Sequence, residues 1–156
     1  MSELAAAVAA HLRCRGETVA VAESSAGGLI NAALVAVPGA SAYYAGGAII
    51  YTGASREGLL GIRASEISGI RSATEPMARL LAHRVRETLG ASWGLAETGA
   101  AGPTGNRYGD PAGHACIAVH GAVQRSLTVE TGSADRAANM QAFAVRALEL
   151  LESSLR

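Results

Sequence analysis

The segment Thr18-Val-Ala-Val-Ala-Glu-Ser-Ser-Ala-Gly-Gly28 decides the fold class of this chain. Residues 18–22 form a short, partly β-branched and almost wholly apolar run, which is typical of a strand covered on both faces. Residues 23–28 form a tight turn that leads directly into a helical stretch, 29–37, which Pro38-Gly39 ends. A buried strand followed at once by a turn and a helix indicates an α/β fold.

Apolar patterns on either side of this segment predict the remaining elements. Further strands are expected at residues 47–52, 93–98, 115–119 and 123–130. Helices are expected from Ser2 to about Gly16, from Thr74 to Gly90 and along the apolar stripe from Met140 to Leu155. Residues 99–113 are too rich in glycine and proline for a helix or strand. The sequence therefore predicts a single three-layer α/β/α domain over residues 1–156, with a mixed, mostly parallel sheet of about five strands.

Composition excludes several classes of function. The 156 residues carry 13 basic and 13 acidic side chains, and a net charge of zero lacks the positive field that nucleic-acid binding needs. All 13 basic residues are arginine, and the chain has no lysine. No apolar run approaches the ~18 residues of a membrane span, and residues 1–15 lack the character of a signal peptide. We expect a cytoplasmic protein with no nucleic-acid and no membrane partner.

Three predicted strands end in polar or glycine-rich segments, at residues 23–28, 52–56 and 98–113. Ligands of open α/β sheets bind at the carboxyl ends of strands, so these segments are the candidate site. Ser24 and Ser25 precede a helix, where unpaired amides favour a phosphate or an oxyanion, although one serine in this position often serves only as a cap. The glycine-rich segment matches neither a Walker nor a dinucleotide motif, and is either a phosphate nest or a plain surface loop.

Four ordered motifs resemble the CinA C-terminal domain family. Residues Ala22-Glu-Ser-Ser-Ala-Gly-Gly28 resemble the family pattern Ala-Glu-Ser-Cys-Thr-Gly-Gly, and Pro38-Gly-Ala-Ser41 resembles Pro-Gly-Ser-Ser. Residues Thr98-Gly-Ala-Ala-Gly-Pro103 resemble Thr-Gly-Ile-Ala-Gly-Pro, and Pro111-Ala-Gly113 resembles Pro-Val-Gly. Because these motifs follow the family order over nearly the whole chain, the chain is identified as a member of this family.

The resemblance implies a function and a set of site residues. The best-known family activity is that of nicotinamide-nucleotide amidase, which hydrolyses the carboxamide of nicotinamide mononucleotide to a carboxylate and ammonia. Family members are often dimeric and need no metal or other cofactor, so we expect a homodimer with a small pyridine nucleotide as substrate. The family nucleophile falls on Ser24, the amides of residues 25–28 are the expected oxyanion hole, and Tyr51 is the expected hydroxyl donor. The implied substrate-binding residues are Glu23, Ser25, Ala26, Gly27, Gly28, Thr98, Gly99, Gly102, Pro103 and Gly105.

The sequence departs from the family pattern at the expected base. The family segment Tyr-Ser-Asn-Glu-Ala-Lys falls on Tyr51-Thr-Gly-Ala-Ser-Arg56, so the lysine that activates the serine is Arg56 here. A guanidinium stays protonated, so Arg56 is suited to holding a phosphate or carboxylate rather than to accepting a proton.

Glu97 and His114 are the candidate replacement bases. Glu97 stands where the family has an apolar residue, and a buried carboxylate there would have a raised pKa. The alternatives for Glu97 are a solvated strand-end residue or a salt bridge with Arg56. His114 lies at the rim of the glycine-rich segment, and its alternative is a strand-start histidine that faces solvent. The sequence thus leaves an amidase with an unusual base, a non-catalytic nucleotide-binding module and a regulatory domain as alternatives.

Overall fold

The computed structural model describes all 156 residues and contains one five-stranded sheet between two helical layers. The strands are β1 (Val19–Glu23), β2 (Tyr44–Ile49), β3 (Trp93–Ala100), β4 (His114–His120) and β5 (Gln124–Glu130). The helices are α1 (Ser2–Arg15), α2 (Leu29–Val35), α3 (Gly53–Leu60), α4 (Glu75–Leu89) and α5 (Arg136–Leu155), with short 3-10 turns at Ala40–Ala42 and Ala64–Ile67. The predicted α/β class and five-stranded mixed sheet are confirmed.

Alternation along the strands divides the core between the two faces of the sheet. Val19 and Val21 of β1 face α1, α2 and α5, whereas Ala20 and Ala22 face α4. The α4 side of the sheet carries small residues, and a Cβ on Gly94 would lie only 1.9 Å from a carbonyl oxygen of α4. Small residues on this face therefore allow α4 to pack directly against the centre of the sheet.

The strand order β2-β1-β3-β4-β5 places the site. β1 pairs in parallel with both β2 and β3, while β4 is antiparallel to β3 and to β5. The carboxyl ends of β1, β2 and β3 therefore lie at one edge of the sheet, and His114, where β4 begins, pairs with Ala100 at the same edge. The connection from 101 to 113 both leaves and returns there.

The structure differs from the prediction at the second strand and in the segment that follows it. β2 begins and ends three residues before the predicted 47–52, and residues 53–56 are the first turn of α3, which was not predicted. Thr52 caps this helix, because its hydroxyl accepts from the amide of Ser55 at 3.1 Å and its own amide donates to the Ser55 hydroxyl at 2.9 Å. The first helix, α4, β5 and α5 are confirmed within a few residues, whereas α2 ends at Val35 rather than 37.

Candidate active site

Glu23 holds the turn between β1 and α2 together. Its buried carboxylate accepts hydrogen bonds from the backbone amides of Gly28 at 2.9 Å, Ile30 at 3.2 Å and Asn31 at 2.6 Å. Burial raises the pKa of Glu23, and these hydrogen bonds oppose the rise. Glu23 therefore caps α2 and lines neither of the cavities described below, in contrast to its predicted place among the substrate contacts.

Glu97 lies fully buried beneath the same turn. Its Oε2 accepts from the amide of Ser24 at 3.1 Å and from the amide of Ala26 at 2.8 Å, while its Oε1 accepts from the hydroxyl of Ser25. Burial raises the pKa of Glu97 to about 7; these hydrogen bonds lower it, and the nearby charge of Glu23 adds to the rise. The two alternatives for Glu97, a solvated residue and a salt bridge with Arg56, are both wrong.

Three of the four amides predicted to form the oxyanion hole, those of residues 26–28, already donate within the protein. The amide of Ala26 donates to Glu97, that of Gly28 donates to Glu23, and that of Gly27 donates to the carbonyl oxygen of Ser24 at 3.2 Å. The amide of Ser25 alone in the turn has no acceptor in the protein. The carboxylates of Glu23 and Glu97, rather than a serine hydroxyl or a phosphate, accept the hydrogen bonds of the backbone amides before and at the start of α2.

A first cavity of about 290 Å³ opens where β1, β2 and β3 end. Its walls include Ser24, Tyr51, Arg56, Thr98 and Gly99, together with Ile50, Thr52, Gly53, Ser72, Met77 and Leu81. No aspartate or glutamate lines it, and the Nε atom of Arg56 is buried without a hydrogen-bond partner. The guanidinium of Arg56 makes no ion pair, and the hydroxyl of Ser24 has no hydrogen bond to a protein base. The first cavity thus contains an unbalanced positive charge.

A second cavity of about 240 Å³ adjoins the first and shares Tyr51 and Gly99 with it. Ser25 and Arg136 lie in its walls, together with Ala100, Ala101, Gly102, Thr104, Gly105 and Asn106. Arg136 donates to the carbonyl oxygen of Gly102 at 2.6 Å and to the hydroxyl oxygen of Tyr51 at 3.0 Å. This cavity also has no acidic side chain in its walls, so both cavities suit an anionic ligand.

Four of the predicted substrate contacts besides Glu23 do not reach either cavity. These residues are Ala26, Gly27, Gly28 and Pro103. Gly27 and Gly28 have φ values of 68° and 101°, so they serve the left-handed turn that brings both serines to the edge of the sheet. Ala26 is buried in the core beside α2.

His114 belongs to a separate cluster. It is buried at the start of β4, its Nδ1 contacts the carboxylate of Glu130, and its Nε2 lies 2.9 Å from the carbonyl oxygen of Ala73. It lines neither cavity, so the structure gives it no contact with a reacting group there. The alternative, a histidine that faces solvent, is also wrong.

Arg136 is the site residue that the sequence pattern missed. It lies at the start of α5, which Asp135 caps by accepting from the amide of Ala138 at 3.1 Å, and it is separated from Tyr51 by 85 positions. No local motif marks it, because only the packing of α5 across the end of the sheet brings it to the cavity. Ser72 and Asn106 reach the walls in the same way, from connections between elements.

The largest cavity lies elsewhere and is electrostatically different. It measures about 380 Å³ and runs between α1, α5 and β5. Three arginines and two glutamates line it, and two of the arginines pair with these glutamates: Arg146 lies 2.6 Å from Glu149 and Arg156 lies 2.9 Å from Glu152. This cavity therefore has carboxylates in its walls, whereas the two cavities at the strand ends have none.

No group of three or more His, Cys, Asp or Glu side chains is arranged to hold a metal ion. None of the helices combines the length and the apolar character needed to cross a bilayer.

Comparisons with known proteins place the chain in a family. The CinA C-terminal domain model matches residues 1–155. A CinA-like protein of Anaeromyxobacter sp. (strain K) is 40% identical over 154 residues, which cover 99% of this chain and 38% of the relative. A CinA-like protein of Synechococcus sp. (strain CC9902) is 39% identical over 154 residues, covering 97% of this chain and 37% of that protein. The chain thus spans under two fifths of the length of these curated relatives.

Solved structures agree with this placement. A competence-damaged protein (CinA) superfamily protein from Klebsiella pneumoniae has a TM-score of 0.91 at 26% identity, covering 99% of this chain and 96% of that one. The competence/damage inducible protein CihA from Agrobacterium tumefaciens has a TM-score of 0.88 at 29% identity, covering 99% of this chain and 94% of that one. Fold, motifs and family model agree along the whole chain, and the protein belongs to the CinA C-terminal domain family.

Proposed function

We propose that this protein hydrolyses the carboxamide of a pyridine nucleotide, such as nicotinamide mononucleotide, to a carboxylate and ammonia. The proposal draws on family membership, since the CinA family includes nicotinamide-nucleotide amidases. The single observation that carries it is the pair of adjoining cavities at the strand ends, each of which has one arginine and no carboxylate in its walls. A nucleotide phosphate is the anion that such a cleft would take.

Arg56 is the proposed phosphate contact. Its guanidinium has no partner in the protein, and a planar guanidinium binds phosphate through two parallel hydrogen bonds. The hydroxyls of Thr52 and Ser72 lie in the same walls and can complete the coordination of phosphate oxygens. With the phosphate held in the first cavity, the shared boundary at Tyr51 and Gly99 leads the rest of the nucleotide toward the second.

The serines at the boundary supply the chemistry. Hydrolysis of an amide through a serine requires an activated hydroxyl, a hydrogen-bond donor for the developing oxyanion and a proton for the departing ammonia. Ser24 lines the first cavity and Ser25 lines the second, and the resemblance gives the nucleophilic role to Ser24. The hydroxyl of Tyr51 accepts from Arg136, so its own proton is free to donate to an oxyanion.

A second candidate function is nucleotide binding without catalysis. The observation in its favour is that the hydroxyl of Ser24 has no hydrogen bond to a base, while Arg56, which replaces the family lysine, stays protonated. Under this alternative the cleft binds the nucleotide with the same contacts, and no bond is broken.

Calorimetry and ammonia release with nicotinamide mononucleotide test both candidates. We expect Arg56→Gln to weaken nucleotide binding by roughly 10- to 100-fold, because the loss of a charge-assisted hydrogen bond to phosphate changes affinity by about this factor. Arg63→Gln, at an exposed position outside both cavities, should leave the affinity unchanged. Ammonia release by the wild type supports the amidase. Binding without release from any pyridine nucleotide amide supports the second candidate, and the absence of binding rejects both. Light scattering of the same preparation tests the expected homodimer.

A further inference from the structure

The hydrogen bond between Ser25 and Glu97 has the features of a nucleophile and its base. The hydroxyl of Ser25 donates to Oε1 of Glu97, and this oxygen has no other partner. The second oxygen, Oε2, accepts from the two amides of Ser24 and Ala26 and is thereby fixed in position. A carboxylate that is oriented by backbone groups on one side and points at a hydroxyl on the other matches the arrangement of an activated serine.

The surroundings of Ser25 provide the other requirements of the reaction. Ser25 lines the second cavity, with Arg136 and Tyr51 in the same walls. Its amide is the one donor in the turn without an acceptor in the protein, so it can receive an oxyanion. Ser24, its neighbour, faces the first cavity, where no carboxylate is present. The two serines therefore differ in the partner that their hydroxyls meet.

We propose that Ser25, rather than Ser24, is the nucleophile of this protein and that Glu97 is its general base. The inference rests on the amide hydrolysis proposed above and assigns its residues. Ser24, beside Arg56 in the first cavity, then contacts the bound nucleotide without forming a bond to it.

The proposed step balances with water as the only co-reactant. Ser25 Oγ attacks the carboxamide carbon while its proton passes to Glu97, and the carbonyl oxygen becomes an oxyanion held by the Ser25 amide and the Tyr51 hydroxyl. Collapse breaks the C–N bond, and the proton on Glu97 leaves with the nitrogen as ammonia. Water then attacks the acyl-serine ester and gives a proton to Glu97, the ester C–O bond breaks, and the product leaves as a carboxylic acid that ionises to the carboxylate by releasing its proton to solvent. The proton on Glu97 returns to Ser25 Oγ.

The charges around Glu97 fit a base that works near neutral pH. Glu23, at the end of β1, raises the pKa of Glu97 further, and Arg136, at the start of α5, is engaged with Gly102 and Tyr51. On the neighbouring β4, His114 bonds to Glu130 and to the Ala73 carbonyl oxygen. A general base is most effective when its pKa is close to the working pH, and burial brings the pKa of Glu97 to about 7.

Matched variants separate the two serines. We expect Ser25→Ala and Glu97→Gln to lower kcat for ammonia release from nicotinamide mononucleotide on the order of 10³-fold. Ser24→Ala should change kcat less than about 10-fold and act mainly on KM. Ser25→Cys, which keeps a nucleophile in place, should retain more activity than Ser25→Ala. Glutamine can keep the Glu97 contacts, because its oxygen can accept from the two amides while its NH₂ donates to Ser25 Oγ, so the fold should persist.

Two further readouts distinguish catalysis from a structural role. In the wild type, kcat/KM should rise as pH increases through about 7, and the residual rate of Glu97→Gln should lack this inflection. A fluorophosphonate probe, which labels activated serines, should modify Ser25 in the wild type and leave Glu97→Gln unmodified, as mapped by peptide mass spectrometry.

The outcomes separate this inference from the proposed function. Ammonia release that is lost in Ser24→Ala, with the probe on Ser24, overturns the inference and leaves the amidase standing. Labelling of Ser25 without ammonia release supports an activated Ser25 and rejects the proposed substrate. Ammonia release that survives in Ser25→Ala overturns the inference, and so does a wild-type protein that the probe leaves unmodified.

Discussion

Replacement of Glu97 by glutamine removes a carboxylate that the folded protein holds away from water. Burial raises its pKa from the ordinary value of 4.5 to about 7, so between these pH values the folded state keeps a proton that the unfolded chain has lost. Where the folded state binds more protons, the free energy of unfolding falls as pH rises. Stability is therefore fully present below about 4.5, declines up to about 7 and then levels off.

The size of the effect follows from the shift. Each unit of difference between the folded and unfolded pKa changes the free energy of unfolding by about 1.4 kcal/mol. The rise from 4.5 to about 7 therefore corresponds to roughly 3 kcal/mol, a large part of the stability of a small domain. Glutamine has no charge to lose, so Glu97→Gln should escape this decline. The difference in unfolding free energy between variant and wild type should thus move by about 3 kcal/mol in favour of the variant between pH 4.5 and 7.

Urea titrations at a series of pH values measure this difference. The chain has one tryptophan, Trp93, which is buried in β3, so its fluorescence reports the loss of the core. Glu57→Gln, on the exposed surface of α3, is the matched control for the change in net charge. Curves for the wild type and Glu97→Gln that run parallel through this pH range would show that Glu97 does not hold this proton in the folded state.

Other substitutions probe packing, the cleft and the reaction. Gly94→Ala should lower the free energy of unfolding in the same urea titration by about 1–3 kcal/mol, because the new Cβ would lie 1.9 Å from the Ala82 carbonyl oxygen. Gly58→Ala is its control, since α3 has open space there, and it should raise the free energy of unfolding by up to about 1 kcal/mol. Asn139→Ala should lower the free energy of unfolding by about 1–3 kcal/mol, because the carbonyl oxygens of Ala101 and Ser133, each 2.8 Å from Asn139 Nδ2, lose their donor. The same variant should speed amide hydrogen exchange in residues 101–105. Tyr51→Phe should lower kcat for ammonia release about 10²-fold with little change in KM, and an unchanged kcat would remove the phenol from the oxyanion site.

Local signals were enough to predict most of the fold. β1 is a nearly continuous apolar run, α4 has an apolar stripe at helical spacing that starts after Thr74-Glu75-Pro76, and both elements are confirmed. The prediction for β2 begins and ends three residues too late, because Ile50 and Tyr51 continue the apolar run, whereas the paired residues begin at Tyr44 and include Gly46. The lack of a side chain at Gly47 admits Asn31, whose Oδ1 would lie 1.8 Å from a Cβ there, so tertiary packing decides the register.

The predictable part of the candidate site lies at the strand ends and in the segments that directly follow them. Ser24, Ser25, Tyr51 and Thr98 reach the cavities, as the rule for open α/β sheets indicates. Two features cannot be obtained from a sequence pattern: that the hydroxyl of Ser25, rather than that of Ser24, donates to Glu97, and that α5 approaches the site. Both depend on the directions in which neighbouring residues of a tight turn point, and on contacts between segments far apart in the chain.

The connection between β3 and β4 lines the second cavity, and its sequence and length can change without a change in the sheet. Both ends of this connection are fixed at one edge of the sheet, since the amide of Gly113 donates to the Ala100 carbonyl oxygen at 2.8 Å. The entropic cost of closing a loop rises slowly with the length of the loop, by about 0.6 kcal/mol for each doubling. Insertions or substitutions at the tip of the connection should therefore reshape the second cavity at small cost to folding. Selection, natural or in the laboratory, could alter ligand preference there while the capped turn after β1 stays fixed.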